Sequence, residues 1–223
     1  MGKLLYEELR EEMCVVARLM WERRLTNAAG GNFAVRVTEK HILITPSMMS
    51  ERRHCLLEAK DILLMDYDKN VLDGEGELSR EGDMHLYLLT KFDNIGASIH
   101  AHPFNCMPFV SAGKPIPNVT EATMGRGEVG CIPFTKAYTP ELAAAVAQYY
   151  EDRRALAERK PIGVILPLHG VVVTGPDIYG AYSMLERIEC DAYCTITSSL
   201  LAQAIPEAHE TLDMEIFPGL SRI

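Results

Sequence analysis

Residues 162–175 of the chain, IGVILPLHGVVVTG, form two apolar runs that are broken at Pro167. Each run has the pattern of a strand, and the break between them leaves no room for a helix. The segments TNAAGGNFAVRV and HILITPS predict another pair of adjacent strands, the second of which stops at Pro46. Strands that follow one another without a helix favour a mixed or largely antiparallel sheet covered by helices over a doubly wound parallel sheet.

The rest of the sequence predicts those helices and the remaining strands. Apolar residues at every third or fourth position predict an amphipathic helix over residues 3–25. Further helices are predicted over 81–92 with Ser79 as a cap, over 103–113 opened by Pro103, over 139–160 begun at Thr139, and over 176–205. Strands are predicted at 61–66, 94–102 and 129–134, and residues 70–80 are predicted to be turn and loop.

Length and charge limit the domain count and the partners. A chain of 223 residues with 48% hydrophobic content is most simply one α/β domain, residues 1–223. The formal net charge of −9 argues against nucleic acid as a partner. No stretch has the ~20 apolar residues of a membrane span, and the N-terminus is too charged for a signal peptide. We therefore expect a cytoplasmic protein that contacts neither a membrane nor nucleic acid.

A pair of histidines marks the first candidate site. His100 and His102 flank one alanine in a predicted strand, and side chains at i and i+2 of a strand point the same way. Two imidazoles could therefore meet at one metal ion, although the pair alone fits structural roles equally well. An open catalytic zinc site also needs a third protein ligand and a vacant position.

His169 is the candidate third ligand. It lies between the two apolar runs and is followed by Gly170, where a titratable side chain is costly unless it is paired or bound to a ligand. Alone it would be interpreted as a hydrogen-bonded core residue; beside the other pair, the ligand role is preferable. The remaining histidines lie in ordinary settings: His41, His54, His85 and His209.

Glu81 is the candidate proton-transfer group, because carbon-acid chemistry needs an acid or base beside the polarised carbonyl. It begins the helix that leads into the His100 strand, and His85 is its i+4 neighbour. An acid in a first helical turn is also favoured by the helix dipole alone, so position does not decide its role.

The ordered fragments GGNFAVR, LITPS, SREGDMHLYLL, IHAHP and LHG resemble the class II sugar-phosphate aldolase/adducin superfamily. The resemblance covers roughly residues 5–200 and leaves 206–223 as a C-terminal tail. It implies a class II aldolase/adducin-like domain, a homotetramer with active sites at subunit interfaces, and Zn²⁺ held by His100, His102 and His169. Glu81 would be the catalytic base and would also touch the metal at rest; Mn²⁺ or Co²⁺ also suits such ligands.

The resemblance also implies a substrate and a reaction. The substrate-binding positions it gives are Gly31, Asn32, Ser47 and Ser79, which line a phosphate pocket in sugar-phosphate members. The reaction is that of an aldehyde-lyase, in which a ketose phosphate similar to L-fuculose 1-phosphate is cleaved to dihydroxyacetone phosphate and an aldehyde through a metal-stabilised enediolate.

Departures from the family pattern keep other reactions open. Met48, Ala29 and Arg80 replace a glycine, a small hydroxyl residue and a serine of the family pattern, and Arg80 could bind phosphate or a carboxylate. Glu121 aligns with the position of a catalytic tyrosine that a neighbouring aldolase subunit supplies, which makes it a candidate acid or an ordinary surface carboxylate. The alternatives are decarboxylation of a keto-acid phosphate, dehydration of methylthioribulose phosphate and 4-epimerisation of ribulose phosphate.

A non-enzymatic role is the remaining alternative. The adducin branch of the superfamily keeps the fold as a structural domain but has no metal histidines. The joint presence of His100, His102, His169 and Glu81 argues against that role for this chain.

Overall fold

The computed structural model describes residues 4–79 and 81–204 of the chain. Within them, eight strands form one sheet in the order β4-β3-β2-β1-β5-β8-β7-β6. The strands are β1 (Asn32–Arg36), β2 (His41–Ile44), β3 (Leu63–Asp66), β4 (Val71–Asp73), β5 (Ala97–Ala101), β6 (Gly130–Cys131), β7 (Gly163–Leu166) and β8 (Gly170–Gly175). Neighbouring strands are antiparallel except β6 and β7, which are parallel. The expected single α/β domain with a mixed, largely antiparallel sheet is confirmed.

Helices cover both faces of the sheet. They are α1 (Glu7–Glu22), α2 (Met49–Arg53), α3 (Gly82–Lys91), α4 (Met107–Ala112), α5 (Pro140–Glu151), α6 (Arg154–Ala157) and α7 (Ile178–Ala204). Along β8, Val171 and Val173 pack in the apolar cluster of α1 and α7, whereas Val172 packs in the cluster of α3 and α5. This alternation gives the sheet two buried faces. None of the helices in residues 4–79 and 81–204 is long and apolar enough to cross a membrane.

Residues 70–80 are not entirely loop, because Val71–Asp73 forms the edge strand β4. The Asp66 carboxylate accepts hydrogen bonds from the backbone N–H groups of Asp68 and Asn70, which turns the chain back onto β3. Val71 and Leu72 are exposed, so β4 has no apolar alternation by which the sequence could reveal it. The short helix α2 and a 3-10 turn at Ala59–Asp61 were also not predicted.

The helix predicted over 3–25 is shorter, at Glu7–Glu22, and two other predicted helices differ in where they begin or in their continuity. The helix expected to open at Pro103 begins at Met107, because the Glu189 carboxylate of α7 accepts hydrogen bonds from the backbone N–H groups of Asn105 and Cys106 and holds a turn there. The helix expected over 139–160 divides into α5 and α6, with Thr139 as its cap as predicted. Both differences depend on contacts or backbone angles that sequence periodicity does not encode.

Candidate metal centre and substrate recess

The alternation of β5 directs two candidate ligands towards α3. Ile99 and Ala101 belong to the apolar cluster on the α1 and α7 side of the sheet. Ser98 and His100 therefore face α3, and the Ser98 hydroxyl contacts a histidine of that helix. His102, one residue beyond the strand, continues the same alternation and is buried.

A tight turn between β7 and β8 brings His169 to the same point. The backbone N–H of His169 donates to the carbonyl of Leu166 at 3.0 Å, and Leu168 at the turn has a left-handed φ of 59°. The imidazole centroids of His100 and His169 are 4.6 Å apart, and those of His100 and His102 are 5.0 Å apart. One ring nitrogen from each of the three histidines lies within 4.8 Å of the others. These atoms could hold one metal ion.

Two glycines make room for the imidazoles. A Cβ at Gly170 would lie 2.5 Å from His102 Cδ2 and 2.9 Å from His100 Cε1. A Cβ at Gly30 would lie 2.7 Å from His102 Cε1. Any larger residue at these positions would push the rings out of their convergent arrangement.

Polar contacts at the Nδ1 atoms of His100 and His102 fix the orientations of these two rings. His100 Nδ1 donates to the carbonyl of Val171 at 3.0 Å, and His102 Nδ1 faces the Asn27 side-chain oxygen at 3.3 Å. Asn27 Oδ1 also accepts from a backbone N–H, so it is an acceptor for His102 as well. A neutral imidazole protonated at Nδ1 presents a lone pair at Nε2, which is the form that binds metals.

The spacing of these nitrogens fits a shared cation. His100 Nε2 and His102 Nε2 are 3.2 Å apart, and two lone pairs at that distance repel one another. Two imidazole nitrogens bound to one tetrahedral Zn²⁺ at its usual bond length lie about 3.3 Å apart. His169 Nδ1 and Glu81 Oε1 are among the buried polar atoms without a hydrogen-bond partner among the described residues, although Glu81 Oε1 lies 3.2 Å from His169 Nε2.

Glu81 closes the cluster from the start of α3. Its Oε1 lies 3.2 Å from His169 Nε2, and its Oε2 lies 3.5 Å from His100 Nε2. The residue is the N-cap of the helix, and its backbone N–H donates to the Ser79 hydroxyl at 3.3 Å. Ser79 therefore holds the chain just before the first turn of α3, while the N-cap side chain itself is left for the site.

A chain of polar contacts orients the Glu81 carboxylate. Ser98 Oγ and His85 Nδ1 are 2.6 Å apart, His85 Nε2 and Asn32 Oδ1 are 2.5 Å apart, and Asn32 Nδ2 donates to Glu81 Oε2 at 2.6 Å. Since the amide nitrogen must donate to the carboxylate, Asn32 Oδ1 faces His85 and accepts from Nε2–H. His85 is fully buried within this network. Sequence reasoning placed it in an ordinary setting; its i+4 spacing from Glu81 was the one signal available.

Burial sets the charge states of the histidines. It lowers the pKa of His100 to about 4, opposed in part by Glu81, and lowers the pKa of His102 to about 3. Both rings are therefore neutral near pH 7, which is the state that binds a metal. Burial acts to raise the pKa of Glu81, but contacts with His100, His169 and Asn32 outweigh it and hold that pKa below its usual range.

The cluster opens into a recess between the start of α3 and the segment from Ala28 to Glu51. Its lining includes the candidate anion-binding residues Gly31, Asn32, Ser47 and Ser79, together with Glu81, His100 and His169. Met48 and Tyr138, which were not predicted as site residues, also line it. Met48 has a left-handed φ of 62°, which explains why a glycine suits that position.

Two candidate residues are not among the described residues that line this recess. Arg80 lies outside the described residues, as does the tail from 206 onward. Glu121 is exposed in the loop between α4 and β6 and is not among the residues that line the recess. Its predicted role depends on a neighbouring subunit and stays a prediction.

Comparison with known proteins identifies the family. Residues 11–196 match the family described as Class II Aldolase and Adducin N-terminal domain. The chain belongs to this family, as its sequence motifs indicated.

Individual relatives catalyse more than one kind of reaction. A 5-deoxy-D-ribulose 1-phosphate aldolase of Bacillus thuringiensis serovar kurstaki is 29% identical over 188 residues, covering 83% of each chain. A 3-oxo-tetronate 4-phosphate decarboxylase of Haemophilus influenzae is 28% identical over 186 residues, covering 81% of this chain and 83% of the relative. The solved structure of an L-fuculose 1-phosphate aldolase matches with a TM-score of 0.75 and 25% identity, covering 89% of each chain. Membership therefore indicates a lyase-type enzyme without fixing its reaction.

Proposed function

We propose that the protein is a divalent-metal-dependent aldolase that cleaves a ketose phosphate similar to L-fuculose 1-phosphate into dihydroxyacetone phosphate and an aldehyde. The convergence of His100, His102 and His169, with the Glu81 carboxylate against two of the three rings, carries this proposal. This convergence opens into a recess that a substrate can enter, which supports an enzyme over a structural domain.

His100, His102 and His169 would hold the metal, with Zn²⁺ as the expected ion and Mn²⁺ or Co²⁺ as substitutes. The bound ion would act as a Lewis acid that stabilises negative charge developing on the substrate oxygens. The protein's part is to keep the ligand nitrogens deprotonated and aimed, through the contacts of His100 with Val171 and of His102 with Asn27.

Glu81 would move the proton. Cleavage requires that a hydroxyl proton leave the substrate, that the electron pair of the C–C bond pass to the three-carbon fragment, and that a proton return to that fragment's carbon. Asn32 holds Glu81 Oε2, so Oε1 is the oxygen available for proton transfer. The orientation by His85 and Asn32 keeps this oxygen at one place during the reaction.

Gly31, Asn32, Ser47 and Ser79 would form the anion-binding end of the recess, and Arg80 is proposed to contribute there. Hydroxyl and backbone N–H groups at this end suit a phosphate. Glu51 lines the same recess, and its negative charge would repel a phosphate. The strength of phosphate binding would therefore depend on Arg80.

A second candidate function is decarboxylation of a keto-acid phosphate. It is favoured by the Haemophilus influenzae decarboxylase, which resembles this chain nearly as closely as the aldolase relative does. Both reactions leave an electron pair on carbon next to a carbonyl, so the same metal centre would serve either.

The deciding experiment is a substrate panel with the metal-loaded protein. It includes ketose 1-phosphates, dihydroxyacetone phosphate with short aldehydes, and keto-acid phosphates. The proposal predicts release of dihydroxyacetone phosphate from a ketose phosphate, and condensation in the reverse direction. Turnover of carboxylated substrates alone, with release of carbon dioxide, would replace the aldolase by the decarboxylase.

We also propose a homotetramer in which Glu121 acts as an acid in the active site of a neighbouring subunit. Its loop is held by a hydrogen bond of 2.7 Å from the Thr120 hydroxyl to the buried Asp191, and by one of 3.0 Å from Asn118 Nδ2 to the Thr123 carbonyl. An exposed carboxylate on an anchored loop suits a contribution across an interface. Light scattering on the purified protein tests the assembly, and mixing Glu121→Gln with His100→Ala subunits tests the sharing of sites by restored activity.

A further inference from the structure

Tyr138 lies at the edge of the candidate metal centre, although it belongs to none of the sequence motifs that predict the site. Its ring centroid is 6.1 Å from that of His169, with an angle of 70° between the ring planes. Among the described residues that line the recess, Tyr138 and His169 are the ones that follow His100 in the chain. Tyr138 therefore lines a part of the recess other than the part lined by the segment from Ala28 to Glu51.

The backbone at Tyr138 is in a conformation that large side chains rarely adopt. Its φ is 62°, in the left-handed region, where glycine is the residue that carries no steric cost. The next residue fixes this geometry, since the Thr139 hydroxyl accepts from the Leu142 N–H at 3.3 Å and donates to the Lys136 carbonyl at 2.8 Å. A bulky residue held in an unfavourable conformation beside a site is typical of residues that are retained for function.

The surroundings of Tyr138 indicate which part of a substrate it faces. A narrow cleft between the starts of α3 and α5 is lined by Tyr138 together with Glu81, Asp83 and Met84. The candidate anion-binding residues Gly31 and Ser47 line the recess but not this cleft. Tyr138 thus lines both the recess and the cleft beside Glu81, whereas Gly31 and Ser47 line the recess alone.

We propose that Tyr138 is a substrate-binding residue whose phenol hydroxyl forms a hydrogen bond with a hydroxyl in the half of the substrate that leaves as the aldehyde. The inference rests on the proposed aldolase function and names a determinant of its specificity. A phenol both donates and accepts a hydrogen bond, so it recognises a polyhydroxylated fragment and favours it over a deoxygenated one.

The test compares Tyr138→Phe with Tyr179→Phe, a matched control because Tyr179 is 48% exposed and Tyr138 is 47% exposed. Loss of one neutral hydrogen bond to the substrate should raise KM for the ketose phosphate about fivefold and change kcat less than twofold. Binding of phosphoglycolohydroxamate, whose adjacent oxygens mimic the three-carbon fragment, should be unchanged. Tyr179→Phe should match the wild type in every measurement.

Tyr138→Gly separates function from folding. Glycine removes the steric cost at this φ, so the variant should melt at a temperature no lower than the wild type while KM rises more than in Tyr138→Phe. Unchanged KM in both variants would overturn the inference, and so would a fall in kcat at constant KM. In that case the turnover of the wild type would still support the aldolase.

Calorimetry in the Glu81→Gln background distinguishes failure of the inference from failure of the proposed function. There the ketose phosphate binds without reacting, and Tyr138→Phe should weaken its binding about fivefold. Weakened binding with no turnover in the wild type would keep Tyr138 as a substrate-binding residue and reject the aldolase.

Discussion

His85, His100 and His102 are buried and His169 is partly exposed, but all four lie in one contiguous site and their ring nitrogens are used in opposite ways. His85 has a polar partner at each nitrogen, Ser98 on one side and Asn32 on the other. In the cluster, the two closest nitrogens of His100 and His102 face each other at 3.2 Å, and His169 Nδ1 has no partner among the described residues. Within this site, completeness of hydrogen bonding therefore distinguishes the supporting histidine from the candidate metal ligands.

Among variants of His85 and of the three-histidine cluster, His100→Ala should have the largest effect on metal content and turnover. Losing one of three protein ligands should remove the metal at micromolar protein, and without the several kcal/mol of Lewis-acid stabilisation turnover should fall about 1000-fold or more. Elemental analysis and steady-state kinetics measure both effects. Retention of stoichiometric metal by His100→Ala would show that this ring is not a ligand.

Glu81→Gln should keep the metal and lose the chemistry. The amide preserves the shape of the side chain but cannot accept the substrate proton, so kcat should fall about 100- to 10 000-fold. Metal content is measured on the same samples. If the variant loses metal as completely as His100→Ala does, Glu81 is chiefly a ligand and the proton-transfer role fails.

His85→Ala should keep the metal and weaken both orientation and stability. It leaves Asn32 Oδ1 and Ser98 Oγ without a partner, which should lower the free energy of unfolding by about 2–3 kcal/mol. Turnover should fall about tenfold, because Glu81 loses its indirect support. Chemical denaturation and kinetics provide the readouts.

Ser98→Ala is the control for that variant. It removes the other partner of His85 but leaves the His85–Asn32 contact in place. Its kcat should stay close to the wild type. An equal loss of kcat in both variants would mean that the effect is general destabilisation and not orientation of Glu81.

The smallest expected effect is on how the stability of the metal-free protein depends on pH. Burial lowers the pKa of His85 and His100 to about 4, whereas an unfolded histidine titrates near 6.5. The unfolded state therefore binds more protons below pH 6.5, and stability should fall between pH 6.5 and about 4 by up to ~1.4 kcal/mol per pH unit for each such group. Denaturation of the chelated protein across this range should show a shallower slope in His85→Ala. An identical slope would show that His85 does not remain neutral in the folded state.

Much of the sheet and the histidine set could be predicted from local patterns. Alternation placed His100 and His102 on one side of the chain, which the structure shows with His102 one residue past the end of β5, and the break at Pro167 placed His169 between two strands, as the structure has it. These predictions succeed because strand periodicity is a local property of the chain. The resemblance of the ordered fragments then gave the family, which the comparisons confirm.

The parts that were not predicted depend on long-range contacts. His85 gained its importance from Asn32, 53 positions away in sequence, and the start of α4 was set by Glu189, 84 positions beyond Asn105. Tyr138 was not predicted as a site residue, because its role is inferred from its positive φ and from its contact with the His169 ring. Neither feature is encoded in the sequence around it. The roles of Glu81 and the anion-binding residues remain proposals that geometry supports.

The central claim is that three histidines form a catalytic metal centre, and metal content against activity tests it most directly. The purified protein is assayed with the substrate identified by the panel, before chelation, after chelation and after return of Zn²⁺, Mn²⁺ or Co²⁺. If the three histidines form this centre, the protein should hold about one divalent ion per chain, lose turnover on chelation, and recover it when the ion is added back. Full turnover in protein that contains no stoichiometric divalent metal would contradict it.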